Sequence, residues 1–275
     1  MLVNGKPGDL ISIRDRGLLY GDGVFRTMRA IKGRAQHWTL HYQKLQHDCT
    51  ALGIACPDVE LLSAELDGLL EQHPEGVVKL VVTRGQGIRG YAPPDDPNIT
   101  HFWDFSPLPD FPPGLAIRGI RAKLCKLRLG WQPRLAGIKH LNRLENVMAA
   151  AEYSDARLLD PEISEGLLLD VDDNVIAGTR SNLFVVSRGK LITPDLTRSG
   201  VAGVQRDRVI RWSKLNNMPT QIRNVALDEV LQADELFVVN SIIGLWPIRE
   251  LEQRHWAGFP IAMNIRQAWA NEAVS

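Results

Sequence analysis

Lys139 stands in the run Ala136-Gly-Ile-Lys-His-Leu-Asn-Arg-Leu-Glu145, with apolar Leu135, Ala136 and Ile138 just before it and a helical pattern behind it. An arbitrary lysine is a solvated surface charge. A lysine near a strand end, desolvated by apolar neighbours, can instead lose its proton and become a nucleophile, as a Schiff base requires. This segment alone leaves both readings open. A second candidate is Ser199-Gly-Val-Ala-Gly-Val-Gln-Arg206, ahead of a run that can be helical over residues 207–215. A glycine turn that opens a helix points backbone N–H groups outward, and the helix dipole favours an anion there, phosphate above all. The same residues also suit an ordinary loop with a helix cap. They do not form G-x-x-x-x-G-K-[ST], so a nucleoside triphosphate site is unsupported.

A third stretch, Arg84-Gly-Gln-Gly-Ile-Arg-Gly-Tyr91, follows a β-branched run. Its glycines allow a mobile loop, and arginine offers a planar, bidentate donor for a carboxylate. A glycine-rich hairpin with solvated arginines fits equally well. The other polar residues discriminate little. The seven histidines show no H-E-x-x-H or paired-ligand spacing, and no G-x-S-x-G elbow occurs. Asp95-Asp96 reads as a solvated turn, and Trp103, Trp131, Trp212 and Trp246 are too dispersed for a base-stacking platform.

The elements that must position these residues follow from hydrophobic spacing. Strand-like runs lie at 10–13 and 24–31, joined through Gly21-Asp22-Gly23. Helical spacing covers 39–52 (Leu45, Cys49, Leu52) and 58–72 (Leu62, Leu66, Leu69), and a buried strand is expected at 77–83. Farther on, a helix is expected at 141–152 and strands at 166–171, 182–187 and 235–241. Residues 106–114, SPLPDFPPG, hold four prolines in nine residues, which neither a helix nor a central strand can carry. The expected organisation is therefore an α+β chain of two domains. The first spans 1–106, a Pro-rich linker spans 107–115, and a second domain of 116–275 carries Lys139.

Composition narrows the class of function. Over 275 residues, 32 Lys+Arg balance 32 Asp+Glu, which removes the electrostatic case for nucleic acid or an anionic membrane. Cys49, Cys56 and Cys125 are odd in number and match no zinc spacing, and the first residues carry no apolar signal stretch. A reduced, cytoplasmic protein with a small-molecule substrate is expected.

Six segments occur together in one order: DRGLLYGDGVF (15–25), RGQGIRGY (84–91), AGIKHLNRLEN (136–146), SNLFVV (181–186), SGVAGVQR (199–206) and NSIIGLWP (240–247). In this the chain resembles the fold-type IV pyridoxal-phosphate enzymes, the class of the branched-chain and D-amino acid aminotransferases. Within that class it is most similar to the aminodeoxychorismate lyases, on the lysine in IKHLNRLE, the RGxGxRGY loop and NSIIGLWP. The resemblance spans nearly the whole chain. It implies a homodimer whose site lies between two domains and is completed by the second subunit. It also implies that pyridoxal 5'-phosphate is bound by Lys139 as the Schiff-base lysine, which then serves as general base and acid. Gly203, Val204 and Gln205 would hold the phosphate through backbone amides, and Ser241, with Asn240 before it, matches a second phosphate contact. Tyr20 and Phe25 match the aromatic wall of the substrate pocket, and Arg89 and Tyr91 lie on the loop that meets substrate carboxylates. The implied reaction turns 4-amino-4-deoxychorismate into 4-aminobenzoate and pyruvate, a step toward folate.

Two positions depart from the family's pattern. Its H-x-x-R arginine, a phosphate contact, is Lys44 here, in His41-Tyr-Gln-Lys44. Lysine keeps the charge but loses the planar fork. More consequentially, the glutamate that pairs with the pyridine nitrogen falls at Ala177, in VIAGTRSNLF. Glu165 and Asp170 are the acids near it in sequence. Two alternatives accompany the lyase reading: an aminotransferase of D- or branched-chain amino acids that uses the same Lys139, and an inactive cofactor-binding form suggested by Ala177.

Overall fold

The computed structural model describes residues 1–160 and 162–272. Its contacts divide the chain into two units, Met1–Asp110 with Ile138–Arg143, and Phe111–Gly137 with Leu144–Ser275. The first unit contains β1 (Leu2–Val3), β2 (Lys6–Pro7), α1 (Arg16–Tyr20), β3 (Gly23–Ile31) and β4 (Arg34–Ala35). It continues with α2 (Trp38–Leu52), α3 (Val59–Gln72), β5 (Gly76–Thr83) and β6 (Thr100–Ser106). Its six strands form one sheet in the order β2-β1-β6-β5-β3-β4. Along β3 the residues alternate, so Val24, Arg26, Met28 and Ala30 are buried on one face while Phe25 and Thr27 lie on the other. The buried face packs with Leu80 and Trp103 against Leu45 and Cys49 of α2 and Leu62, Leu66, Leu69 and Leu70 of α3. Fully burying each such leucine stabilises the fold by roughly 1.5–3 kcal/mol.

Caps set the helix ends. The Asp15 carboxylate accepts the Gly17 N–H at the start of α1, Asp58 accepts the Glu60 N–H at the start of α3, and α2 stops at Gly53, in the left-handed region (φ 62°). No strand forms at 10–13. Leu10 and Ile13 there are 83% and 80% exposed, and the chain turns at Asp15 into α1. Apolar residues on this stretch satisfy the alternation rule but have no sheet edge to join.

The second unit holds α4 (Leu115–Arg118), β7 (Ile120–Leu129), α5 (Leu144–Leu159), β8 (Ile163–Asp170), β9 (Val175–Gly178), β10 (Asn182–Ser187) and β11 (Lys190–Pro194). Then come α6 (Val204–Leu215), β12 (Thr220–Arg223), α7 (Leu227–Leu231), β13 (Glu235–Asn240), β14 (Gly244–Leu251), β15 (Arg254–His255) and α8 (Pro260–Glu272). The strand path β12-β11-β10-β13-β14-β7-β8-β9 returns on itself, because β9 also pairs with β10 through Ala177 and Asn182. Six strands thus close a ring, which removes two sheet edges. Leu183, Phe184, Phe237, Val238 and Leu245 belong to its main core. No helix among the described residues is long and apolar enough to cross a membrane.

The expected C-terminal domain is corrected at one segment. Ile138–Arg143 belongs to the first unit, so Lys139 does too. The backbone explains it: the Phe25 N–H donates to the Lys139 carbonyl (3.0 Å), the Leu141 N–H donates to the Gly23 carbonyl (2.9 Å), and Val24 pairs with His140 as an antiparallel bridge. The segment is drawn out along β3. For that reason α5 begins at Leu144, three residues after the start its periodicity predicts.

Candidate active site

Bridge alternation puts His140 on the buried face with Val24 and puts Lys139 on the face of Phe25. The Lys139 ammonium nitrogen lies 4.2 Å from the Phe25 ring centroid, and that of Lys79, on β5 opposite Thr27, lies 5.2 Å from the same ring. Burial pushes the Lys139 amine down from its ordinary 10.5 to about 7. The charges of Arg26, Arg143 and Lys79 add to this shift, and Asp48 opposes it. Near neutral pH a large fraction of the half-buried Lys139 is therefore an unprotonated amine, which favours the reactive reading over the solvated charge. The neighbouring histidines carry no charge there. Burial, then Arg26, lowers His41 to about 3, while burial, then Arg143, lowers His140 to about 4.

Two residues that sequence reasoning missed hold this lysine. The Asp48 carboxylate on α2 accepts the Lys139 backbone N–H at 2.8 Å and pairs with Arg26, whose guanidinium also donates to the Lys44 carbonyl at 2.9 Å. Arg26 and Asp48 are each about 2% exposed at the side chain. A signal for Arg26 existed: it occupies the apolar register of β3 between Val24 and Met28. Asp48 likewise sits between the core positions Leu45 and Cys49. Lys44 itself is half-buried, one turn after His41 on α2.

The 84–91 loop divides by role. Arg84 is buried, and its guanidinium donates to the Asp22 carboxylate (2.8 and 3.1 Å) and to the Leu52 and Gly53 carbonyls (2.7 and 2.6 Å). It holds the fold and is not a carboxylate catcher. Arg16 also donates to Asp22 (2.8 Å) and, from its other nitrogens, to the carbonyls of Gly90, Tyr91 and Ala92. Burial alone raises the Asp22 carboxyl, but the hydrogen bonds and charges of Arg84 and Arg16 hold it below its ordinary value. So pinned, the loop brings Tyr91 to Tyr20, with ring centroids 5.4 Å apart. Arg89 is exposed at its tip.

In the second unit, α6 opens at Gly203, which is extended and has no side-chain cap. The Asn182 side chain staples the loop from both ends of its amide: Nδ2 donates to the Val201 carbonyl (2.7 Å) and Oδ1 accepts the Gly203 N–H (3.1 Å). A Cβ on Gly203 would fall 2.6 Å from that Oδ1. Gly137, two residues before Lys139 in the chain, bonds the loop on both sides, donating to the Gly200 carbonyl (3.0 Å) and accepting the Ala202 N–H (2.9 Å). The loop is thereby fixed with the amides of the first turn of α6, at Val204 and Gln205, beyond reach of an intrahelical acceptor. Asn240 is occupied elsewhere: its Oδ1 accepts the N–H groups of Ile242 and Ile243 (2.8 and 2.9 Å), and its Nδ2 donates to the Arg180 carbonyl (3.1 Å). It shapes the turn that carries Ser241.

Ala177, 5% exposed, lies in an apolar cluster with Cys125, Leu129, Ala149, Leu168, Ile176 and Leu196, against which Ala202 of the α6 loop packs. Neither nearby acid replaces the missing one. Opposite residues of an antiparallel pair share a face, so Ala177 faces with Leu168, whereas Gly178 faces with Leu167 and Glu165. On that other face the buried Glu165 carboxylate accepts from the N–H groups of Gly166 and Thr179 and the hydroxyls of Thr179 and Ser181. Asp170 accepts from Asp172, Asn174 and the Trp131 indole in the β8–β9 turn. Among the described residues no group of His, Cys, Asp and Glu could hold a metal ion.

Residues 23–251 match the amino-transferase class IV family. The chain is 35% identical to the aminodeoxychorismate lyase of Vibrio harveyi over 273 residues, 98% of either chain. It is 33% identical to a putative branched-chain-amino-acid aminotransferase of Methanocaldococcus jannaschii, over 92% of this chain and 88% of that one. The crystal structure of 4-amino-4-deoxychorismate lyase from Pseudomonas aeruginosa superposes with a TM-score of 0.93 at 40% identity, over 98% of both chains.

Proposed function

The chain belongs to the amino-transferase class IV family, and from that premise we propose that it is a pyridoxal-phosphate-dependent carbon–oxygen lyase that converts 4-amino-4-deoxychorismate to 4-aminobenzoate and pyruvate. The observation that carries the chemistry is Lys139, whose amine is pushed down to about 7 against the face of Phe25. The likeness to two lyases over 98% of the chain favours elimination over amino transfer.

The residues fit the cofactor. Lys139 offers the unprotonated amine that its aldehyde needs, the stapled loop at Gly203, Val204 and Gln205 would offer amides to its phosphate, and the family resemblance adds Lys44 and Ser241 as further phosphate contacts. When bound, pyridoxal phosphate supplies an electron-accepting ring that stabilises negative charge on the substrate carbon bearing nitrogen. Lys139, as the unprotonated amine, would take the proton from that carbon as general base. Loss of that proton would let the enolpyruvyl C–O bond on the neighbouring carbon break, its electron pair leaving with the oxygen, as the substrate's six-membered ring becomes aromatic. The Lys139 ammonium returns a proton to the departing enolpyruvate, which completes pyruvate. Tyr20, Phe25 and Tyr91 line the substrate, and Arg89 meets its carboxylates. Ala177 offers no acid to the pyridine nitrogen, so the reading includes a weakened activity. The reading includes a cytoplasmic location, supported by three free cysteines, and a homodimer, supported by the exposed apolar residues of the first unit.

The direct test is to incubate the cofactor-loaded protein with 4-amino-4-deoxychorismate and measure both products. Equal amounts of 4-aminobenzoate and pyruvate are expected. A keto acid from D-alanine or a branched-chain amino acid, with no 4-aminobenzoate, would establish the aminotransferase reading that the M. jannaschii relative supports.

A further inference from the structure

We propose that the buried Arg26–Asp48 pair is a positioning device for the reactive lysine, in which Asp48 anchors the Lys139 backbone and Arg26 holds that carboxylate in place and adds a fixed positive charge to the field at the amine. The inference rests on Lys139 being the reactive amine. Its geometry is independent of the cofactor. The Asp48 carboxylate takes the Lys139 N–H at 2.8 Å, the Lys139 carbonyl takes the Phe25 N–H at 3.0 Å, and the lysine backbone is thereby fixed between α2 and β3. Only the side chain is left to swing between holding a cofactor and moving a proton.

Arg26 has an unusual place for an arginine, inside the apolar register of β3 and almost wholly excluded from water. Burying a charge is costly unless it is paired, and Asp48 pairs it. A hydrophobic residue at 26 would fill the same face without that cost, so structure alone gives no reason for the arginine. Its side chain leaves β3 on the face opposite Lys139, but its charge still acts on the lysine amine. Around the Lys139 amine stand Arg26 from β3, Lys79 from β5 and Arg143 from the lysine's own segment, opposed by Asp48 from α2, while His41 and His140 are neutral. Three cations against one anion favour the unprotonated amine. Asp48, the one anion, is turned to the backbone and to Arg26, so it anchors the lysine without restoring much of its charge.

The test reads the amine directly. The full-length chain, freed of cofactor, is mixed with pyridoxal, which lacks the phosphate, and the rate of adduct formation is followed by absorbance across pH. The wild-type rate should rise with a midpoint near 7. Arg26→Met should move the midpoint up by about one unit or more, Asp48→Asn should move it down, and Arg26→Lys should stay near wild type. Opposite shifts are the signature, because a merely structural role would give loss of rate without a signed movement. Should Asp48→Asn unfold by removing the anion beside the buried Arg26, the double variant Arg26→Met with Asp48→Asn removes both charges and should return the midpoint toward wild type. Midpoints that stay fixed, or move the same way in both single variants, would overturn the pairing role. A wild-type chain that forms no adduct at any pH would instead overturn the assignment of Lys139.

Discussion

A lysine amine held near pH 7 carries consequences for both activity and stability. Lys139→Ala should abolish the cofactor's covalent attachment and lower turnover by at least about a thousandfold while leaving the circular dichroism spectrum unchanged. Full activity in that variant would remove Lys139 from the reaction. The same amine loses its proton near 7 in the folded chain and near 10.5 when unfolded. Between those values the unfolded chain binds the extra proton, so this group makes stability rise with pH from about 7 to 10.5. Urea midpoints of wild type and Lys139→Met across that range should show the rise in the former and its loss in the latter. Ala177 makes a separate prediction. A glutamate there would enter an apolar cluster, so Ala177→Glu should destabilise the cofactor-free protein by about 2 kcal/mol or more, read from its unfolding. On the family resemblance the new carboxylate would meet the ring nitrogen in the loaded enzyme, and turnover should rise by up to about a thousandfold, or about 4 kcal/mol of barrier.

At the scale of elements, the loop ahead of α6 is prepared by Asn182. Asn182→Ala would leave the Val201 carbonyl and Gly203 N–H without this partner, at about 1–3 kcal/mol. Cofactor affinity, measured by fluorescence titration, should fall on the order of tenfold, which corresponds to about 1.4 kcal/mol. Unchanged affinity would show that the loop does not hold phosphate. These elements differ in how far the sequence disclosed them. Leu45 with Cys49, and Leu62 with Leu66 and Leu69, announce α2 and α3 because a helix face repeats at fixed intervals. The glycine loop at 199–206 was legible for the same local reason. Arg26 and Asp48 were not, since their meaning depends on a partner 22 residues away and on Lys139, 91 residues from Asp48. Leu10 and Ile13 misled because alternation describes a strand's faces and says nothing about an available edge. Asn240 was expected at the end of a strand, beside a phosphate contact, yet only the hydrogen bonds show that its amide is spent on Ile242 and Ile243.

For the molecule as a whole, one surface stands out. Leu10, Ile13, Leu18 and Leu19 are exposed, and so are Ile88 and Tyr91 of the loop that Arg16 and the Asp15–Gln86 bridge hold beside them. Exposed apolar groups gathered in this way mark a protein–protein surface. Sedimentation should give a dimer, and Ile13→Glu combined with Ile88→Glu should give monomers with reduced turnover. A wild-type monomer with full activity would count against the second subunit's part in the site. A different consequence follows from the membership of Ile138–Arg143 in the first unit. During synthesis the first 110 residues can emerge and collapse, but the edge of β3 that takes residues 139–141 stays bare until some thirty more have been added. Until then Gly23 and Phe25 present unpaired backbone to whatever strand is near, and the nascent chain is open to mispairing. The residue that does the chemistry is therefore also the one whose arrival completes its own unit. A chain interrupted before Arg143 would be a hazard to its neighbours as well as inactive, and the lysine's environment comes into being only after more than half of the protein has been made.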